Sequence, residues 1–60
     1  MNAAQIKAVV ATMVDSIVMS EMRRGKLGVI VNGKYRCIDV QGYGFCEKAL
    51  RDIVARQIGA

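Results

Sequence analysis

The chain has 60 residues, of which 53% are hydrophobic, and its formal net charge at pH 7 is +4. This length allows one domain at most and excludes a multidomain protein. A lone core in a chain below about 70–80 residues seldom supplies more than about 3–5 kcal/mol of stability. Because so much apolar mass cannot all be hidden inside so short a chain, we expect self-association, as a homodimer.

The first predicted element is a long N-terminal helix over residues 3–24. Asn2 and Gln5 form a capping-box pair at its start, and a basic pair followed by Gly25 is typical of a helix end. At about 100° per residue, apolar side chains cover more than half of the circumference of this helix. Its small-residue face therefore predicts the dimer contact, which consists of Ala4, Ala8, Ala11, Asp15, Val18 and Met22.

A β-hairpin follows the helix, with strands predicted at residues 26–31 and 34–40. The Asn32-Gly33 pair between two β-rich runs predicts a type I′ turn, because that turn needs two residues at positive φ. In this register Val31 lies opposite Lys34. The side chains of one face then form the core face, namely Leu27, Val29, Ile38 and Val40.

The last predicted element is an amphipathic helix over residues 45–58. Gly44 is its predicted N-cap, Glu47 occupies the third helical position, and Gly59 stops the helix. An apolar stripe at helical spacing contains Cys46, Leu50, Ile53, Val54 and Ile58. Residues 1–60 therefore read as a single small α+β domain of αββα order.

Several classes of protein are disfavoured by what the sequence contains. The chain has no histidine, and Cys37 and Cys46 lie nine residues apart without a metal-binding spacing, so we expect neither a metal nor a cofactor. The longest mostly apolar stretch contains Asp15 and Ser16 and is too short to span a membrane. No leader pattern is evident at the start, and we expect a cytoplasmic protein with reduced thiols, one that could act inside a host cell.

Catalysis is not expected, because the usual general base is missing from the chain. Asp15 is open to two interpretations, a buried acid or a residue at the edge of the dimer interface that pairs with a basic group of the other subunit. Cys46 could be an activated thiol at a helix start, although a small buried hydrophobic residue is the favoured interpretation. The predicted protein is therefore non-enzymatic.

Basic residues form the main candidate site. Arg23, Arg24 and Lys26 cluster at the joint between helix and strand, while Lys34 and Arg36 are expected to project from the hairpin tip. Cations on a projecting ribbon can track phosphates, and Tyr35 or Tyr43 could stack on bases. Alternatively, the joint cations complement the helix dipole and Lys34 keeps the hairpin soluble.

The segment 41–45, Gln-Gly-Tyr-Gly-Phe, resembles the ribonucleoprotein signature of the RNA recognition motif. That resemblance implies aromatic side chains that stack on RNA bases. Gln41 stands where the signature has a basic residue, and Lys48 stands where it has its final aromatic. In the alternative interpretation, Gly42 and Gly44 form a turn and the aromatic residues anchor the last helix.

A broader likeness runs over residues 27–58. Its order of strand, Asn-Gly-Lys turn, strand, Gly-x-Gly segment and helix looks like the second half of a double-stranded RNA-binding domain. That family grips phosphates with lysines at the start of its last helix, a role that Lys48 alone could fill here. The first strand of that family has no counterpart in the elements predicted for this chain.

Two functions therefore stay open. In the first, a small regulatory protein binds nucleic acid through the basic residues of the hairpin and the joint. In the second, the chain is a protein-binding module or inhibitor, of the kind that phages and mobile elements encode, which docks on a larger intracellular protein. Loss of binding with rising salt would distinguish the first function from the second.

Overall fold

The computed structural model describes residues 2–18, 24–40 and 46–59. Two helices and a three-stranded antiparallel sheet make up this part of the chain, so the predicted α+β class is confirmed. The elements follow the order αβββα, with one strand more than the sequence predicts. They are α1 (Ala3–Ala11), β1 (Ser16–Ile17), β2 (Lys26–Val31), β3 (Lys34–Asp39) and α2 (Glu47–Gly59).

The start of α1 follows the capping prediction. The Gln5 backbone N–H donates to Oδ1 of Asn2 at 2.9 Å, and the Asn2 backbone N–H donates to Oε1 of Gln5 at 2.8 Å. Each side chain thus satisfies a backbone donor at the helix start that has no partner inside the helix. The side of α1 that faces the core carries the buried residues Ile6, Val9 and Val10.

The end of α1 corrects the predicted helix, which was expected to continue to Arg24. The Thr12 N–H and the Met13 N–H donate to carbonyls three residues back, those of Val9 and Val10, and close the last turn. The Thr12 hydroxyl also donates to the Val9 carbonyl at 2.7 Å. The residues that follow are largely β-branched or small and polar, which disfavours helix and favours strand. Apolar periodicity alone concealed this change.

Strand β1 uses those residues to extend the sheet. It pairs antiparallel with β2 through Ser16 opposite Ile30 and Ile17 opposite Val29. The β2 strand thereby becomes the central strand of the order β1-β2-β3. The sequence prediction had no counterpart for the first strand of the double-stranded RNA-binding domain. Strand β1 precedes β2 and could be that counterpart.

The hairpin forms in the predicted register. Asn32 has φ 53° and Gly33 has φ 77°, the two positive values that a type I′ turn requires. Val31 lies opposite Lys34, and the pairing continues to Lys26 opposite Asp39. Strand β3, the second strand of the hairpin, ends at Asp39, one residue before the predicted end.

Helix α2 begins at Glu47 within the described residues, and the predicted start at Phe45 with its Gly44 cap lies outside them. Glu47 and Arg51 form the expected ion pair one turn apart, at 3.0 Å. Cys46 is exposed, which corrects its interpretation as a buried hydrophobic residue.

The hydrophobic core lies between the sheet and both helices. The predicted core face of the hairpin is confirmed, since its four residues are all buried. Both helices pack on this one face, because their buried side chains belong to the same cluster. Its members are Ile6, Val9, Val10, Leu27, Val29, Ile38, Val40, Leu50 and Val54. Within the described residues, no helix has the length and apolar character needed to cross a membrane.

Candidate nucleic-acid interface

The face of the sheet opposite the helices is defined by strand alternation. Residues directly opposite each other on antiparallel strands point to the same side, and neighbours along a strand point to opposite sides. Because Leu27 and Ile38 are a buried pair on the helix side, the alternate pairs face away from the helices. We call this surface the open face. It carries Ser16, Val18, Lys26, Gly28, Ile30, Tyr35, Cys37 and Asp39.

Large apolar side chains are exposed on the open face near the hairpin turn and beside β1. Tyr35 is 55% exposed and Val18 is 54% exposed, and both are large hydrophobic side chains. Ile30 lies directly opposite Tyr35 and is half-buried. The Val18 N–H donates to the Gly28 carbonyl at 2.9 Å, which holds Val18 beside the central strand. An aromatic ring and aliphatic groups thus share one solvent-facing surface.

Exposed cations lie at one end of this surface and at the hairpin tip. Lys26 is on the open face at the start of β2. Arg24 lies two residues before it, and the backbone of Arg24 has φ 54°. Lys34 is exposed directly after the hairpin turn, but it lies opposite Val31 and precedes Tyr35, so its side chain points to the helix side of the sheet. All three predicted site residues are exposed. Arg23 and Tyr43, which belong to the same predicted site, lie outside the described residues.

Arg36 does not project from the hairpin tip, in contrast to the sequence prediction. It lies opposite the buried Val29, on the helix side of the sheet, and is half-buried. Its Nη1 donates to the backbone carbonyl of Gln57 at 2.7 Å. Carbonyls in the last turn of a helix have no partner within the helix, so the Arg36 guanidinium satisfies one of them at the end of α2.

One negative charge also belongs to the open face. Asp39 lies opposite Lys26, and its side chain points to the same side. The backbone of Asp39 is held by Gln57, whose side-chain amide donates to the Asp39 carbonyl and accepts from the Asp39 N–H, both at 2.8 Å. The net charge of Lys26, Lys34, Arg24 and Asp39 together remains positive.

The six residues of the predicted dimer contact do not form one helical face. The three alanines are exposed on α1, whereas Asp15 and Val18 flank β1. The Asp15 carboxylate accepts the Asn32 N–H at 2.9 Å and so braces the hairpin turn. Met22 lies outside the described residues. The contact was predicted on a helix that in fact ends at Ala11.

The side chains of the open face and its margins determine what this surface can contact. In the parts of the chain that the structure describes, no three side chains of histidine, cysteine, aspartate or glutamate come together as metal ligands. Cys37 is a free thiol exposed on the open face. Cations, an aromatic ring and aliphatic groups can pair with phosphates and stack on planar groups.

Sequence reasoning missed Val18 and Ile30 as members of this surface, because Val18 was placed on a helix. The adjacent β-branched residues Ile17 and Val18, which follow the small polar Ser16, are the sequence signal that favours a strand there. No model of a protein family matches the chain, and neither curated proteins nor solved structures gave a match. Function is therefore inferred from the open face and its margins.

Proposed function

We propose that the chain is a small, non-enzymatic regulatory protein that binds nucleic acid. The exposed cations of the hairpin and of the segment before β2, Lys34, Lys26 and Arg24, make the contacts with phosphate. One observation carries this proposal: Lys26 and Arg24 lie at one end of a sheet face that the helices leave uncovered and that bears an exposed tyrosine, and Lys34 is exposed at the hairpin tip.

Charge supplies the affinity in this proposal. Neutralising a phosphate releases condensed counterions, and the logarithm of the binding constant then falls with the logarithm of the salt concentration, by about 0.7–0.9 per phosphate contact. Three contacts predict a slope of about −2 to −3. Arg36 and Arg51 contribute less, since one is hydrogen-bonded to a helix carbonyl and the other is paired with Glu47.

The test is a fluorescence-anisotropy titration of labelled nucleic acid at several salt concentrations. The variant Lys26→Gln with Lys34→Gln removes one positive charge from the open face and one from the hairpin tip. A matched control, Lys48→Gln with Arg56→Gln, removes two exposed charges from α2, on the other side of the sheet. We expect the first pair to reduce the salt slope by about 1.5–2 and the control pair to leave it nearly unchanged. Equal slopes for the two pairs would contradict the proposal.

The alternative function, a protein-binding module or inhibitor, is supported by the apolar character of the open face. Val18 and Tyr35 would then be buried by a protein partner, and charge substitutions at the margins would have little effect. Salt-insensitive binding to a protein, without binding to nucleic acid at low salt, would favour it. Homodimerisation stays a prediction that light scattering can test. The helix face that was predicted to form the dimer contact is not present, because α1 ends at Ala11.

A further inference from the structure

We infer that the ligand of the open face is single-stranded nucleic acid, with an unpaired base stacked on the ring of Tyr35. This inference rests on the proposed function and specifies its substrate class. Planar bases, each with an aromatic face, are available to a protein side chain only where they are not stacked within a duplex. The inference depends on three features of the sheet, namely the position of Tyr35, the placement of the cations and the engagement of Arg36.

The first feature is the setting of Tyr35. Its side chain is 55% exposed on the edge strand β3 near the hairpin turn, and the half-buried Ile30 lies directly opposite it on β2. The rigid strands on either side of the Asn32-Gly33 turn fix the backbone that carries the ring. Because the backbone is fixed and tyrosine has two side-chain torsions, little conformational freedom is lost when a flat partner stacks on the ring.

The second feature is the separation of the cations. Lys34 is next to Tyr35 at the hairpin end of β3, while Lys26 lies opposite Asp39 at the far end. At about 3.3 Å per residue, the five steps from Lys34 to Asp39 span about 17 Å. A backbone that runs along the open face would therefore meet Lys26 at one end, and it would meet Lys34, whose side chain leaves the sheet on the helix side, only beyond the hairpin tip. Arg24, which is exposed just before β2, extends the positive charge at the Lys26 end.

The third feature argues against a duplex. A β-ribbon that enters a major groove needs several projecting polar or basic side chains at its tip. Arg36 lies on the helix side and is held by the carbonyl of Gln57, so Lys34 is the cation that remains at the tip. The apolar side chains of the open face, Val18 and Ile30, would also face the charged backbone of a duplex with nothing to bind.

The test compares a mixed-sequence RNA or DNA oligonucleotide, labelled at one end, with the duplex formed from it and its complement. Anisotropy at one moderate salt concentration gives both dissociation constants for the unaltered protein. We expect the single strand to bind at least tenfold more tightly than the duplex. Equal or tighter binding of the duplex would overturn the inference without affecting the proposed function.

Two substitutions at position 35 test the stacking itself. Tyr35→Leu should weaken single-strand binding by about fivefold to a hundredfold, and Tyr35→Phe, which keeps the ring, by about threefold or less. The salt slope should stay the same in both variants, because stacking releases no counterions. Circular dichroism confirms that each variant is folded. If Tyr35→Leu binds like the unaltered protein, the stacking inference is wrong.

The two proposals fail in different ways in these experiments. If no nucleic acid binds at low salt, the proposed function fails and the inference fails with it. If nucleic acid binds with the expected salt slope but shows no preference for the single strand and no effect of Tyr35→Leu, the proposed function stands and only the inference fails.

Discussion

Gln57 and Asp39 join α2 to the outer edge of β3 through two hydrogen bonds of 2.8 Å, one to the backbone N–H and one to the carbonyl. The side-chain amide thereby imitates the pairing that a neighbouring strand would give. Gln57 also offers its own carbonyl to Arg36, so the last turn of α2 is linked to β3 at two positions. An edge strand with satisfied backbone groups has fewer positions at which another chain could pair.

Replacing this amide should weaken the fold. Gln57→Ala removes both bonds to Asp39 and should lower the free energy of unfolding by about 1–2 kcal/mol, since each net hydrogen bond contributes about 0.5–1.5 kcal/mol. Gln57→Glu keeps an acceptor for the Asp39 N–H and loses the donor, so an intermediate loss is expected. Urea denaturation of the three proteins measures these values. If alanine and glutamate are equally stable, the two-bond geometry is not what stabilises the edge.

Asp15 gives a test with opposite signs for the two descriptions of the N-terminal segment. In the structure its carboxylate accepts the Asn32 N–H, so Asp15→Ala should destabilise the protein by about 1 kcal/mol. If Asp15 were within a long helix, alanine would instead raise stability by up to about 0.7 kcal/mol through its higher helix propensity. Asp15→Asn, which retains an acceptor oxygen, should cost less than alanine. Thermal and chemical unfolding would reveal the sign.

Gly33 should be difficult to replace for a purely conformational reason. Its φ is 77°, and a Cβ added there would meet no atom within 4 Å, so the cost lies in the backbone and not in a clash. Gly33→Ala should destabilise the protein by about 1–2 kcal/mol. Gly59→Ala is the matched control, because that position is also open space and lies in the last turn of α2. We expect the control to be neutral or slightly stabilising, and a loss equal to that of Gly33→Ala would contradict this account.

Arg36 and Lys34 should have separable effects. Arg36→Gln removes the bond to the Gln57 carbonyl and should lower stability by about 1 kcal/mol while changing nucleic-acid affinity by less than about twofold. Lys34→Gln should leave stability within about 0.5 kcal/mol and weaken nucleic-acid binding. Denaturation and anisotropy measured on the same samples separate the two effects. A larger loss of affinity for Arg36→Gln than for Lys34→Gln would mean that Arg36 belongs to the binding surface.

The features that sequence reasoning predicted correctly are encoded locally. The Asn2–Gln5 cap and the Asn32-Gly33 turn each depend on residues that are three positions apart or adjacent, and both form as expected. Strand β1 was missed because its partner, the middle of β2, comes 12 to 14 residues later and cannot be read from helical periodicity. The segment 12–18 has the β-branched composition of a strand, but its apolar spacing also fits a helix.

The candidate site likewise combines features that local sequence predicts with features that depend on distant contacts. Exposed positions for Tyr35 and Lys26 follow from strand alternation within the hairpin, and that of Lys34 follows from its place directly after the turn. The role of Arg36 does not, since its partner is a carbonyl 21 residues further along the chain. Val18 joined the open face only because β1 exists. Contacts between distant elements therefore decided which predicted residues belong together.

The most direct measurement of the central claim, that the open face is the nucleic-acid surface, is a titration of ¹⁵N-labelled protein with a short single strand. Amide chemical shifts in Val18, Ile30, Tyr35 and Lys26 should move, and those of the exposed α2 residues Lys48 and Arg56 should not. Shifts confined to the exposed sides of α1 and α2, with the open face unchanged at saturation, would contradict the claim.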